Sequence, residues 1–472
     1  MIKDYFTQLF KQNFHFSPTF EQEQAIRKLT DFLFSSSADR TFILRGYAGT
    51  GKTSIIGAFV TTLQQVNHKC LLLAPTGRAA KVFSHYANHP TYTIHKKIYR
   101  QKTFSNDIDN FRLNDNLHHD TLFIVDEASM IANEGLSRTP FGSGCLLDDL
   151  VHFVYGGQRC QLIMVGDDAQ LPPIGERQSP ALDANALRGY GLETDETTLS
   201  EVVRQKRQSG ILWNATRLRQ YVSHGPDSGF PIIHVTGFAD IRVVHGTELI
   251  ESISSCYDKD GIDNSIVICR SNKRTLLYNN GIRSRILYRE ELLESGDMLM
   301  VAKNNYFWAK NHNDIEFIAN GDVALVQRVR HERELYGFHF ADVTLRFPDY
   351  NDCELETTLL LDTLQSDAPA LTTSMSQALF ERILADYADI TTRREQMKKL
   401  KTDPYYNALQ VKYGYAVTCH KAQGGQWENV FIDQGYMTDD MLTPDYFRWL
   451  YTAFTRATQT LYLVNWPEGQ AI

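Results

Sequence analysis

Gly46–Thr53 reads GYAGTGKT, with glycine, lysine and threonine at the spacing G-x-x-x-x-G-K-[ST]. Residues of these types in this order can bind a polyphosphate. Gly46, Gly49 and Gly51 let the backbone turn its N–H groups inward around phosphate oxygens, and a helix starting near Lys52 adds its positive end. The contact set this predicts is Gly46, Ala48, Gly49, Thr50, Gly51, Lys52, Thr53 and Ser54. Lys52 would reach the β- and γ-phosphates of ATP, and the Thr53 hydroxyl would ligate Mg2+. Further along, Asp126-Glu127 follows the apolar run Thr121–Val125. Paired carboxylates there suit Mg2+ binding by Asp126 and activation of a water by Glu127. Gln170, in Gly166–Pro173 (GDDAQLPP), is placed to sense the γ-phosphate or that water.

This chemistry needs strands that end at one edge of a sheet and helices that start there. The apolar run Thr41–Leu44 precedes the glycine-rich loop, and Ser54–Val60 continues as a helix. A second strand, Cys70–Leu73, runs into Ala74–Lys81 (APTGRAAK), where Thr76, Arg78 and the backbone at Gly77 can hold a second set of phosphates. Gln161–Val165 makes a fourth strand, and Cys145–Tyr155 has helical periodicity. Upstream, Thr19 and Gln22 form a capping-box pattern, and the Gln22 amide can also accept from N6 and donate to N7 of adenine. With the phosphate loop just downstream, adenine recognition is the favoured reading of Gln22.

The remaining chain has less local chemistry. Tyr99–Asn116 alternates weakly around Ser105-Asn106-Asp107 and predicts an inserted hairpin, while Asn133–Gly144 reads as loop. Ile266–Ile268 opens a second set of strands. From about Gly296 to Pro348, short β-rich runs and turns such as Asn320-Gly321-Asp322 predict a small barrel or sheet. Leu371–Lys401 reads as helical with a basic end, and Leu461–Val464 as a last strand. His95 in Thr93-Ile94-His95-Lys96 has no chemistry of its own at this level.

With 472 residues, the chain can hold two to four domains. At 43% hydrophobic and 22% charged it has the composition of a globular protein. The net charge of −8 means that any nucleic-acid surface must be a local basic groove on an acidic body. Seven scattered cysteines without a C-x-x-C pair argue for reduced thiols and a cytoplasmic setting. No apolar run approaches transmembrane length, so no membrane partner is expected. Met1–Phe16 reads as an amphipathic helix and not a signal peptide.

In order along the chain, these stretches resemble the motifs of superfamily 1B helicases, the branch of RecD-like and Dda-like enzymes. Thr19/Gln22 match the Q motif, GYAGTGKT motif I, APTGRAA motif Ia and TIHK motif Ib. DEASM and GDDAQLPP match motifs II and III, Arg204 the arginine of motif IV, TCHKAQG (Thr418–Gly424) motif V and FTRA (Phe454–Ala457) motif VI.

The resemblance implies an α/β fold of two RecA-like parallel-sheet domains facing each other across an ATP cleft. Residues 1–203 would form domain 1A, with a small 1B hairpin at 98–117. Residues 204–289 and 402–472 would form domain 2A, flanking a 2B insertion at 290–401 made of a Src-homology-3-like barrel and a helix. It also implies that Arg204 and Arg456 join Lys52 at the γ-phosphate and that Gly424 borders the nucleotide. Pro75, Thr76, Arg78, His95, Thr418, His420 and Lys421 would contact DNA. The activity implied is ATP-dependent 5′→3′ movement on single-stranded DNA with duplex unwinding, in replication, recombination or repair. The expected partners are single-stranded DNA and its junctions with duplex, with single-strand-binding or repair proteins as further candidates. A stand-alone, monomeric motor is the better match, because no nuclease motif or long N-terminal extension is present. An RNA-directed motor of the same superfamily, and a non-motor ATP-gated DNA-binding subunit of a recombination complex, remain alternatives at this level.

Overall fold

Two parallel sheets are built on the apolar runs. The computed structural model describes residues 2–35, 37, 39–101, 111–133, 141–203, 209–224, 229–310, 312, 315 and 317–472. The first sheet has six strands in the order Thr91–Thr93, Lys69–Ala74, Thr121–Val125, Gln161–Gly166, Arg40–Gly46, Glu193–Leu199, all parallel. Thr121–Val125 is buried along its whole length, as expected of a parallel strand covered on both faces. One face carries helix Ile2–Asn13, whose Phe6 and Phe10 stand one turn apart and pack on Phe59. The opposite face carries helix Leu146–Tyr155 through Leu147, Leu150 and Val154.

The second sheet has five strands, in the order Ala416–Thr418, Ser265–Cys269, Trp427–Asp433, Ala457–Val464, Ile241–Val244, again parallel. Between its strands the chain makes a closed five-stranded barrel from Met298–Val301, Val323–Leu335, Phe338–Phe347, Cys353–Leu360 and Leu409–Tyr413. Barrel and second sheet share one core, in which Val267 and Phe431 join Leu299, Val326 and Val343. A buried carboxylate ties the junction. Asp297, fully buried, accepts from Arg283 Nε at 2.9 Å, Arg289 Nη1 at 2.5 Å and Tyr415 Oη at 3.0 Å.

The architecture expected from the resemblance is present: two RecA-like sheets and a barrel insertion. Two details differ. The barrel takes its closing strand from Leu409–Tyr413, beyond the boundary expected at 401, because the inward-facing Leu409, Val411 and Tyr413 complete its core. Leu371–Lys401 is two helices, Thr373–Ala385 and Arg393–Leu400, and not one. The second starts afresh because the Thr392 hydroxyl accepts from Glu395 N–H, a capping bond that competes with continued helix through the β-branched run Ile390-Thr391-Thr392. Strands Tyr99–Gln101 and Phe111–Leu113 pair antiparallel, while the turn expected at 105–107 lies outside the described residues. Among the described residues no helix is long and apolar enough to cross a membrane, and all seven cysteines are free.

Candidate functional site

The strand edge of the first sheet carries the phosphate loop. Strand Arg40–Gly46 ends in it and helix Lys52–Gln65 leaves it. Gly49 and Gly51 have φ of 76° and 84°, a region that side-chain-bearing residues rarely enter. Gly51 is also crowded: a Cβ there would stand 2.5 Å from Gln22 Nε2. Gln22 is 2% exposed and makes the predicted cap. Its Oε1 accepts from Thr19 N–H at 3.0 Å, and its Nε2 donates to Thr50 O of the loop at 2.9 Å. The amide expected to read adenine thus braces the loop from behind. Thr53 and Ser54 are exposed at the start of the helix.

Acidic groups face this loop. Asp126 follows strand Thr121–Val125 and is 8% exposed, with Oδ2 accepting from the Tyr86 hydroxyl. Burial raises its pKa, and the Lys52 ammonium opposes that rise. Glu127 stands at φ 51°. Asp167 is pushed up to about 6 by burial, again against the pull of Lys52. Among the described residues, Asp126 Oδ1, Glu127 Oε2, Asp168 Oδ1 and Gln170 Oε1 are buried acceptors without a partner. Buried polar atoms are normally satisfied, so these unpaired acceptors, on the two strand-end loops whose Asp126 and Asp167 feel the Lys52 charge, mark a place for donors or a cation supplied by a ligand. A magnesium–nucleotide fits that donor set.

The second sheet supplies the opposite wall. Helix Pro444–Phe454 and the loop after Ala422 hold the main chain of Asp168–Leu171. Thr452 Oγ1 accepts from Leu171 N–H at 2.9 Å, Gln423 Nε2 donates to Leu171 O at 2.6 Å, and Arg448 Nη1 donates to Gln170 O at 3.2 Å. Arg456 is 2% exposed. Its guanidinium donates to Thr452 O at 3.1 Å, Gly425 O at 3.2 Å and Thr455 Oγ1 at 3.3 Å. Arg456 is thus engaged within its own domain in this arrangement. Arg204 lies outside the described residues.

The residues expected at DNA fall in three places. Thr76 caps helix Gly77–Ala87 through Ala79 N–H, and follows Pro75 at the end of its strand. Arg78 stacks on the Trp427 ring at 4.0 Å, and a Cβ on Gly424 would meet Ala79 and Thr76 at 3.1 and 3.2 Å, so the loops of the two domains touch here. Gly424, expected beside the nucleotide, therefore packs on this seam. His420 is exposed, and Thr418 and Lys421 line a small cavity with Asn272, Thr275 and Lys412. Lys421 Nζ is buried without a partner, and burial brings its pKa down to about 8. His95 is set apart: it packs among Tyr99, Phe141 and Phe317, and burial lowers its pKa to about 4, leaving a neutral imidazole.

Sequence reasoning missed Tyr86, Arg448, Tyr451 and Thr452, whose partners are far away in the chain. Nothing in local spacing distinguishes a hydroxyl that crosses to another domain from one that packs in place.

Residues 19–221 match a family model described as an AAA domain, and residues 413–464 match one described as a UvrD-like helicase C-terminal domain. An uncharacterised protein of Acanthamoeba polyphaga mimivirus is 22% identical over 520 aligned positions, covering 93% of this chain and 98% of that protein. An uncharacterised protein of Methanocaldococcus jannaschii is 34% identical over 167 positions, covering 33% of this chain and 13% of that one. A Pif1 helicase from Bacteroides solved with ADP-AlF3 and ssDNA is 15% identical, with 96% of this chain and 94% of that chain covered and a TM-score of 0.46. The Pif1 helicase from Candida albicans is also 15% identical, with 96% of each chain covered and a TM-score of 0.45.

Proposed function

We propose that this chain is an ATP-hydrolysing DNA helicase of superfamily 1B that moves 5′ to 3′ on single-stranded DNA and opens junctions with duplex, a reading supported by the AAA-domain and UvrD-like helicase matches. One observation carries the reading. Unpartnered acceptors on Asp126, Glu127 and Gln170 lie on the two loops whose Asp126 and Asp167 feel the Lys52 charge, and the main chain of Asp168–Leu171 is hydrogen-bonded to the second domain. Nucleotide chemistry in the first domain is thereby wired to the position of the second.

In this reading Lys52 and the loop amides other than those of Tyr47, Ala48 and Thr50, which already have acceptors, hold the ATP phosphates, and Glu127 takes the proton of the attacking water, oriented by Gln170. Thr53 and Asp126 would hold a magnesium ion, which when bound offsets charge on the phosphates. Arg456, and Arg204 beside it in role, stabilise charge at the γ-phosphate once the cleft has closed on it. DNA lies across the seam between Pro75–Arg78 and Thr418–Lys421, with affinity dominated by phosphates and without sequence readout. The domain division we adopt is 1–203, 204–289, an insertion from 290 to the end of the barrel's last strand, Leu409–Tyr413, and the remainder returning to the second sheet. The setting is DNA replication, recombination or repair, in the cytoplasm, as a monomer.

The test is strand displacement on duplexes with a 5′ or a 3′ single-stranded tail, with poly-dT and poly-U compared as ATPase activators. Unwinding of 5′-tailed duplex alone, with poly-dT the stronger activator, is expected. Unwinding of 3′-tailed duplex overturns the polarity, and preference for poly-U overturns the DNA assignment.

A further inference from the structure

One hydroxyl group is shared across the cleft. Tyr451, on helix Pro444–Phe454 of the second domain, is 1% exposed. Its Oη donates to Asp167 Oδ2 at 2.6 Å and accepts from the Ala48 N–H of the phosphate loop at 3.0 Å. Both partners belong to the first domain. Asp167 is 1% exposed, and its other oxygen accepts from Ala169 N–H at 3.0 Å. The adjoining loop residue is gripped as well: Arg219 of helix Gly210–His224 stacks over the Tyr47 ring at 4.0 Å.

The bonds from Thr452, Gln423 and Arg448 end on the main chain of Asp168–Leu171, and Arg219 Nη1 donates to Ser200 O at 3.3 Å. Tyr451 differs in reaching the phosphate loop itself. Parting the domains exchanges these two bonds for bonds to water, and a hydrogen bond to a charged acceptor is worth more than that exchange returns. The bond therefore favours the closed arrangement. Any backbone change in the loop on phosphate binding would move the Ala48 N–H, the donor to Tyr451 Oη.

We propose that Tyr451 is a positioning residue that couples occupancy of the phosphate loop to closure of the cleft, by bridging Asp167 and Ala48 from the opposite domain. The occupancy half rests on the nucleotide reading above. The closure half stands on geometry alone and is tested without any ligand.

The experiment uses the full chain with one fluorophore on each domain and reads energy transfer, first without nucleotide and then with a non-hydrolysable ATP analogue. Tyr451→Phe keeps the ring and removes the hydroxyl. The control is Tyr446→Phe, which removes another buried hydroxyl from the same helix, one that donates to Gln434 Oε1 at 2.9 Å within the second domain. Tyr451→Phe is expected to lower the closed-to-open ratio of the ligand-free chain by about tenfold, the scale of one hydrogen bond to a charged group. It also shrinks the further closure caused by the analogue, while Tyr446→Phe leaves both readings at the wild-type value. A folded Tyr451→Phe with wild-type transfer in both states overturns the proposal, and so does an equal shift in Tyr446→Phe. Should Tyr451→Phe fail to fold, Asp167→Asn, which removes the charge from the same bond, must shift the ligand-free ratio toward open; no shift overturns the proposal. A wild-type chain without ATPase activity would count against the function proposed above and leave the ligand-free comparison decisive for closure.

Discussion

Glu127 holds φ at 51°, in the left-handed region that a side chain with a Cβ enters at a cost of roughly 1–2 kcal/mol. Such strain persists where the surroundings demand it, and here it turns the carboxylate off the end of strand Thr121–Val125 with Oε2 buried and unpaired. Glu127→Gln keeps the shape and removes the base. Nucleotide binding should persist while turnover falls by about 10²–10⁴-fold. Filter binding and steady-state ATPase on the same preparation check it; lost binding with retained turnover would assign Glu127 another task. Lys421 makes a second case. Burial lowers its pKa to about 8 from 10.5, and the neighbouring Lys412 is also brought to about 8, by burial first and by repulsion from Lys421 second. A phosphate favours the protonated form, so DNA binding draws a proton back on. Affinity should therefore fall as pH rises from 7 to 9, across the cited value of about 8, with proton uptake on binding. Lys421→Arg stays charged over that range and should flatten the profile. Calorimetry in buffers of different ionisation heat measures the uptake, and none at pH 8.5 would remove Lys421 from the DNA path.

The phosphate loop was legible as an element because it is local: glycines, lysine, threonine and the flanking strand and helix all lie within one stretch of chain. The sheet strands Thr121–Val125 and Gln161–Gly166 were legible for the same reason, as buried apolar runs ending in polar residues. Leu409–Tyr413 was not, because although it alternates as a half-buried strand does, it abuts the next motif, and only its pairing with Met298–Val301 and Cys353–Leu360 assigns it to the barrel. Gly51 carries a prediction of its own. Alanine there meets both an unfavourable φ of 84° and the Gln22 amide at 2.5 Å. Moving Gln22 undoes the cap at Thr19 and the bond to Thr50 O together. Gly51→Ala should cost about 1–3 kcal/mol and abolish nucleotide binding. Chemical denaturation gives the first number, and retained affinity for ATP would mean that the loop tolerates a different backbone.

At the scale of the whole molecule, what sequence reasoning could not reach is the pairing of residues from opposite ends of the chain. Arg78 on Trp427, Tyr451 on Asp167 and Gln423 on Leu171 each join the two domains across several hundred positions. Arg456 sits behind this seam, buried and held by Thr452 O, Gly425 O and Thr455 Oγ1. All three acceptors are neutral, so no carboxylate among them competes with an anion for the guanidinium. Reaching a γ-phosphate requires exchange of some of these bonds, and a DNA strand resting on Thr76–Arg78 and Thr418–Lys421 would favour the arrangement in which that exchange occurs. Single-stranded DNA should then stimulate hydrolysis, and by linkage nucleotide should change DNA affinity by the same coupling free energy. Arg456→Ala should bind both ligands yet lose about 10³–10⁵ of the stimulated turnover. It should also lose roughly 1–3 kcal/mol of stability, because the buried carbonyl of Gly425 is left without its donor. The two effects separate with temperature. Turnover with and without oligo-dT, measured well below the variant's melting point, removes the stability term. A deficit that persists there assigns Arg456 to the reaction, and one that disappears assigns it to the seam alone.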